Sequence, residues 1–214
     1  MSTKTGNGIK TGMSTSTSTN GKGGSEATPL TGQHGRIIQQ YGTLVPMAIG
    51  VSDDARKANV DSLNTLLANS ITLRDMYKKA HWQMKGETFY QLHLLFDKHF
   101  EEQVELIDMV GERIQILGGV TNGMPSEVVR IRTIQDPPSG VEEIPEIIGH
   151  LLDAHTHILE DAHKLADQSD ENKDWGTNDL MASEVIKTNQ MQYWFTGQHL
   201  INTPLVRADR QSEN

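Results

Sequence analysis

Apolar residues recur every three or four positions along four separate stretches of this 214-residue chain. The clearest stretch runs from about Thr88 to Leu117 and ends at Gly118-Gly119, a pair that favours helix termination. Its stripe contains Phe89, Leu92, Phe96, Phe100, Val104, Ile107, Gly111 and Ile114. This period is typical of amphipathic helices, and the sequence shows no strand alternation or hairpin signal.

Three further long helices are predicted on the same grounds. They run from Ser52, a predicted N-cap, to about Lys85, from about Val141 to Ala166, and from about Asn178 to Asn202. The proline-containing connection 120–140 is predicted to hold one short helix near Ser126–Arg130, and Asp167–Asn178 is predicted to be a loop. Four long helices with a long crossover between the second and third predict an all-α, ferritin-like four-helix bundle.

The composition divides the chain into four parts. Residues 1–25 contain seventeen Gly, Ser or Thr and three lysines without an acid, and they predict a disordered basic tail. Residues 26–51 predict an extension with enough apolar side chains to lie along a surface. The bundle is assigned to 52–203 and a C-terminal tail to 204–214.

Charge and composition exclude several classes of protein. The formal net charge is −9, and the 16 basic and 28 acidic residues beyond the tail leave the body at −12, which disfavours a generally basic nucleic-acid surface. The absence of cysteine rules out disulfides and thiolate metal sites. No signal peptide or membrane-spanning run is evident, so a cytoplasmic protein is predicted, or a nucleoid protein if it binds DNA.

Four metal-ligating residues occupy one arc of the second helix. At about 100° per residue, Asp97, Asp108 and Glu112 fall within about 100° of His93, along the edge of the apolar stripe. Partly buried carboxylates need a compensating charge, such as a metal ion. The pair His93/Asp97 is separated from Asp108/Glu112 by about 22 Å along the axis, so one ion cannot join them within one helix.

A two-fold axis resolves this separation. The two pairs are equidistant from a point near Glu102–Gln103, so an antiparallel copy of the helix would place Asp108 and Glu112 opposite His93 and Asp97. His81, near the end of the first helix, completes the predicted set. Two imidazoles and three carboxylates suit iron, zinc or manganese. The alternative is that these residues are ordinary core or surface residues.

These residues resemble the motif of the Dps family of ferritin-like mini-ferritins over about 55–203. The motif comprises His81-Trp82, Gly86, Phe89, Leu92-His93, Phe96-Asp97, Asp108, Glu112-Arg113 and Gly118-Gly119. The resemblance implies a hollow dodecamer of two-fold dimers that oxidises Fe(II) with hydrogen peroxide or dioxygen, stores the ferric mineral and protects against oxidative stress. His81, His93 and Asp97 of one subunit, with Asp108 and Glu112 of its mate, would bind two iron ions, with zinc as a substitute.

The resemblance also suggests a pore through which iron enters, lined by Asp174 and Asp179. The alternative for this stretch is a polar loop with a helix cap. On the third helix, His150, Asp153 and His157 follow helical spacing and suggest an accessory metal site. Solvated or bundle-lining histidines are the alternative there.

Two other functions remain open at this point. The tail lysines Lys4, Lys10 and Lys22 would be displayed many times on a shell, so avidity would favour DNA compaction despite the acidic body. A bundle that buffers metal without turnover is the third hypothesis.

Overall fold

The structure is a computed structural model that describes residues 35–202, and every regular element in that range is helical. In chain order the helices are α1 (Asp53–Gln83), α2 (Phe89–Ile116), α3 (Pro125–Ile131), α4 (Ile144–Glu171), α5 (Trp175–Asp179) and α6 (Ile186–Gly197). A π-helical segment, Leu180–Val185, joins α5 to α6, and a 3₁₀ turn, Gln198–Leu200, follows α6. The predicted tails 1–25 and 204–214, with residues 26–34 of the extension, lie outside the described range.

Four long helices form the bundle. Helix α1 packs against α2 and α4, and α4 packs against the last helix, which is built from α5, the π segment and α6. The crossover from α2 to α4 spans 117–143 and holds only the short α3. The prediction of an all-α, ferritin-like bundle with a long second connection is therefore confirmed. Within 35–202, no helix is both long and apolar enough to cross a membrane.

Local signals set the ends of α1 and α2. The hydroxyl of Ser52 accepts a hydrogen bond from the backbone N–H of Ala55 at 3.3 Å, as the predicted cap requires. Gly118 ends α2 with φ at +81°, and a Cβ there would lie 2.7 Å from the carbonyl oxygen of Val45. Only glycine satisfies both conditions at this position.

The described part of the extension, from Ile37 onward, is fastened to this end of the bundle. The Val45 N–H donates to the Gly118 carbonyl at 2.9 Å. The buried guanidinium of Arg56 donates to the carbonyls of Val45 and Leu117 at 3.0 and 2.7 Å. These hydrogen bonds hold the segment against the bundle, while its apolar side chains Ile37 and Ile38 are exposed.

The second half of the chain departs from prediction at its helix ends. Helix α4 begins at Ile144 rather than Val141 and continues to Glu171, so the predicted loop Asp167–Asn178 is wrong over most of its length. Its polar residues lie on the solvent side of a continuing helix, while Ser169 is buried. The last helix begins at Trp175 and gives way to the 3₁₀ turn after Gly197.

One layer of the core is polar. It contains Tyr77 from α1, Gln103 from α2, His155 from α4, and Asn189 and Gln192 from α6, all without exposed surface. Hydrogen bonds connect its members, and we call it the central polar network. The rest of the core is mainly apolar, with side chains such as Leu63, Leu73, Phe96, Val110, Ile148, Ile158, Met181 and Val185.

Candidate metal centre

The turn between α1 and α2 brings His81 and His93 face to face. Their rings stack with centroids 3.7 Å apart and planes inclined by 19°. His81 Nδ1 lies 2.7 Å from the carbonyl oxygen of His93, and His93 Nδ1 lies 2.9 Å from the carbonyl oxygen of His81. The two histidines thus hold each other through reciprocal contacts to the backbone.

These contacts fix the tautomer of both rings. A carbonyl oxygen only accepts hydrogen bonds, so each Nδ1 carries the proton and donates it. In the neutral ring, Nε2 then has the free lone pair through which imidazole binds metal ions. His81 lies on α1 and His93 on α2, and the predicted proximity of the two residues is confirmed.

Asp97 lies one turn beyond His93 on α2. Its Oδ1 is 3.9 Å from His81 Nδ1 and 2.5 Å from Lys78 Nζ on α1. The hydrogen bond from Lys78 is the main reason why the pKa of the Asp97 carboxyl lies below its usual range. Lys78 also lies over the Phe100 ring at 4.5 Å, which fixes the ammonium beside this carboxylate.

Asp108 and Glu112 lie farther along α2 and are exposed. About 22 Å of helix separates their pair from His93 and Asp97, as the sequence indicated. Within residues 35–202, no three His, Asp or Glu side chains come together to hold a metal ion. The five predicted ligands are therefore two half-sites in one chain, and their union across a two-fold axis stays a prediction.

The structure buries Asp174, one of the two residues predicted to line a pore. Its carboxylate is buried and accepts hydrogen bonds from Asn59 Nδ2 at 2.7 Å and Thr177 Oγ1 at 2.6 Å, and it pairs with Arg113. Burial raises the pKa of this carboxyl, but the bonds from Thr177 and Asn59 and the charge of Arg113 bring it below its usual range. Asp174 caps α5, which is the alternative role that the sequence left open for this stretch, and its role in a pore stays a prediction.

Asp179 is placed differently from Asp174. It is exposed near the start of the last helix and accepts a hydrogen bond from Ser183 at 2.9 Å. Its role in a pore stays a prediction.

The predicted accessory site on α4 does not assemble. His150 pairs with Glu142 at 3.1 Å, whereas Asp153 and His157 are exposed. Within residues 35–202, these side chains form no group of three ligands that could hold a metal ion. Among the histidines of this helix, His155 is buried and lines the bundle interior. The predicted DNA-binding lysines Lys4, Lys10 and Lys22 lie outside the described residues.

Sequence reasoning missed two residues beside these sites. Lys78 lies three positions before His81 on the same helix, and this i, i+3 spacing was the available signal. Arg113 follows Glu112 within the motif, but nothing in the sequence shows that its partner is Asp174, sixty-one positions away.

Comparison with known proteins places this architecture in a family. A family model for the ferritin-like domain matches residues 60–206. The structure of DpsC from Streptomyces coelicolor superposes with a TM-score of 0.79 at 50% identity, over 80% of this chain and 100% of that chain. The chain belongs to the Dps family. The resemblance carried by the histidine, aspartate and glycine motif is therefore confirmed.

Two further relatives match this chain over most of their own length. The DNA protection during starvation protein of Halobacterium salinarum is 30% identical over 129 residues, which span 57% of this chain and 71% of that protein. An uncharacterised protein of Kitasatospora aureofaciens is 47% identical over 134 residues, which span 63% of this chain and 89% of the relative.

Proposed function

We propose that this Dps-family protein is a ferroxidase and iron-storage mini-ferritin. It oxidises Fe(II) to Fe(III) with hydrogen peroxide or dioxygen, stores the mineral in a hollow dodecameric shell, and so protects the cytoplasm against oxidative stress. The observation that carries the proposal is the stacked pair His81 and His93, because their mutual Nδ1 bonds leave both Nε2 atoms available to a metal ion.

The second half of each site comes from the two-fold mate. In the described chain Asp108 and Glu112 are exposed. A Cβ at Gly111, between them, would meet only Thr121, at 4.0 Å. Trp82 and Tyr90, which are 72% and 68% exposed beside the histidines, offer apolar surface for a partner to cover. Both observations favour close approach of a second copy at this face.

Iron is the substrate at this site, and the side chains divide the work. His81 and His93 supply neutral nitrogen ligands, while Asp97 and the partner subunit's Asp108 and Glu112 offset the charge of two ions. Lys78 neutralises Asp97 before iron arrives. Two Fe(II) ions supply the two electrons that reduce one peroxide.

Ferric absorbance after anaerobic Fe(II) loading tests this function. Addition of peroxide or air should raise the absorbance quickly in the full chain. The rate of this rise should be lower by orders of magnitude in Asp108→Ala/Glu112→Ala. The control is Glu160→Ala/Asp167→Ala, which removes the same charge from exposed positions on α4. Equal rates in all three proteins contradict an intersubunit site, and iron binding without oxidation identifies a metal buffer instead.

DNA compaction is a second candidate, favoured by the name of the Halobacterium relative. It would use Lys4, Lys10 and Lys22, repeated over the shell, and the contacts would weaken with salt. A gel shift at low salt should appear with the full chain and disappear without residues 1–25. Absence of a shift in both proteins excludes DNA compaction through this tail.

A further inference from the structure

A tyrosine and a histidine, neither of them among the ligands assigned to iron, form a hydrogen-bonded pair in the middle of the bundle. Tyr77 on α1 and His155 on α4 are both fully buried. The phenol oxygen lies 2.5 Å from His155 Nε2, and Thr196 Oγ1 is a more distant neighbour at 3.5 Å. This contact links α1 to α4 within the central polar network.

The surrounding amides fix the direction of the bond. Asn189 Nδ2 donates to the Val185 carbonyl at 2.7 Å, so Asn189 presents its oxygen to His155 Nδ1 at 2.9 Å. His155 Nδ1 therefore carries the ring proton, and Nε2 is left with a lone pair. It follows that Tyr77 is the donor and His155 Nε2 is the acceptor.

We propose that Tyr77 is a redox-active residue, which loses one electron while its phenolic proton passes to Nε2 of His155. The products are a neutral tyrosyl radical and an imidazolium. The hydrogen bond gives the proton a destination without movement of either ring, and the return of one electron reverses both transfers. A buried phenol without such an acceptor would be left as a high-energy radical cation.

Burial suits both members of the pair to this role. It raises the pKa of Tyr77, so the phenol keeps its proton at rest. It also lowers the pKa of His155 to about 3, so Nε2 is unprotonated and ready at neutral pH. Tyr41, Tyr90 and Tyr193 complete the tyrosines of the chain, and each is at least 42% exposed. Tyr77 alone is shielded from radical coupling at the surface.

The pair lies close to the proposed iron site. Tyr77 precedes His81 by one turn of α1, and its ring centroid is 5.7 Å from that of Phe96, the residue before Asp97. An electron therefore has a short route from Tyr77 to an oxidant formed there. This part of the inference rests on the proposed ferroxidase function.

The function of the pair is to hold an oxidising equivalent when only one iron is bound. One Fe(II) reduces peroxide to hydroxide and a hydroxyl radical, and it becomes Fe(III). Tyr77 supplies the electron that converts this radical to a second hydroxide, and His155 keeps the proton. The next Fe(II) reduces the tyrosyl radical, and the proton returns, so two Fe(II) and one peroxide give two Fe(III) and two hydroxides.

Rapid-freeze electron paramagnetic resonance tests the inference in a variant with Tyr41, Tyr90 and Tyr193 changed to Phe. Protein loaded with less than one Fe(II) per site and mixed with peroxide should give a tyrosyl signal that a further Fe(II) addition removes. Tyr77→Phe in this background should abolish the signal. His155→Gln should slow radical formation about a hundredfold, since it removes the base. His163→Gln, an exposed change on α4, should have no effect.

A second oxidant separates this inference from the proposed function. Photo-oxidised ruthenium tris(bipyridine) removes single electrons without iron or peroxide, and it should give the same Tyr77 signal in iron-free protein. A protein that oxidises iron yet shows no tyrosyl signal with either oxidant overturns the inference. A signal with ruthenium in a protein that does not oxidise iron overturns the ferroxidase function alone. Circular dichroism and subunit assembly of each variant confirm that the fold persists.

Discussion

At the scale of single residues, one buried ion pair ties the two halves of the chain together. Arg113 near the end of α2 binds the Asp174 carboxylate and donates to Thr177 Oγ1 at 2.9 Å. Gly176 gives the guanidinium its room, because a Cβ there would lie 2.9 Å from Arg113 Cζ. This contact positions the start of the last helix against the end of α2.

Arg113→Leu should destabilise the protein by about 3–5 kcal/mol, because it leaves the Asp174 carboxylate buried without its cation. The free energy of unfolding in urea measures the effect. Arg113→Leu/Asp174→Leu should recover part of the loss, and Arg130→Leu on the exposed face of α3 is the matched control. A loss no larger for Arg113→Leu than for Arg130→Leu would show that the pair contributes nothing.

At the scale of elements, helix ends with a local cause agreed with prediction and helix ends with a distant cause did not. Ser52 and Gly118 act through their own backbone and nearest neighbours. The end of α4 is closed by Lys173 in the left-handed region, at φ 59°, where the sequence offers no glycine to signal it. Contacts from other elements surround this end, such as Asn178 Nδ2 to the Ala166 carbonyl at 2.9 Å and Asn59 to Asp174. The π-helical segment Leu180–Val185 likewise has no signature in its own residues.

Gly118→Ala tests the junction between α2 and the extension. The substitution forces a positive φ on alanine and presses its Cβ against the Val45 carbonyl, so a loss of about 1–3 kcal/mol is expected. Thermal and urea unfolding measure it. Gly140→Ala is the control, since nothing lies within 4 Å of its Cβ and its φ is not in the left-handed region. Equal stability of the two variants contradicts this account of the junction.

For the molecule as a whole, the central polar network buries a histidine in the middle of the bundle. Burial lowers the pKa of His155 to about 3, against about 6.5 for an unfolded histidine. The unfolded chain therefore binds the proton first as the pH falls. The stability contributed by neutral His155 is present above about pH 6.5 and is lost progressively as the pH falls toward 3.

Stability against urea should therefore decline between pH 6.5 and 4 more steeply in the wild-type protein than in His155→Gln. The variant starts from a lower stability because it disturbs Tyr77, but its dependence on pH is shallower. His163→Gln, on the exposed side of α4, should follow the wild-type slope. Parallel slopes for wild type and His155→Gln would show that His155 does not titrate on unfolding.

The all-α bundle, its long crossover and the candidate ligands of the metal centre could all be predicted from local sequence patterns. Periodicity, caps and the spacing of His93, Asp97, Asp108 and Glu112 are properties of neighbours on one helix. The packed bundle was needed to show that the His81 and His93 rings donate to each other's backbone, that Arg113 pairs with Asp174, and that Tyr77 meets His155. Each of these contacts joins different elements, and side-chain pairing between elements depends on the packing of the whole bundle, which no local pattern encodes.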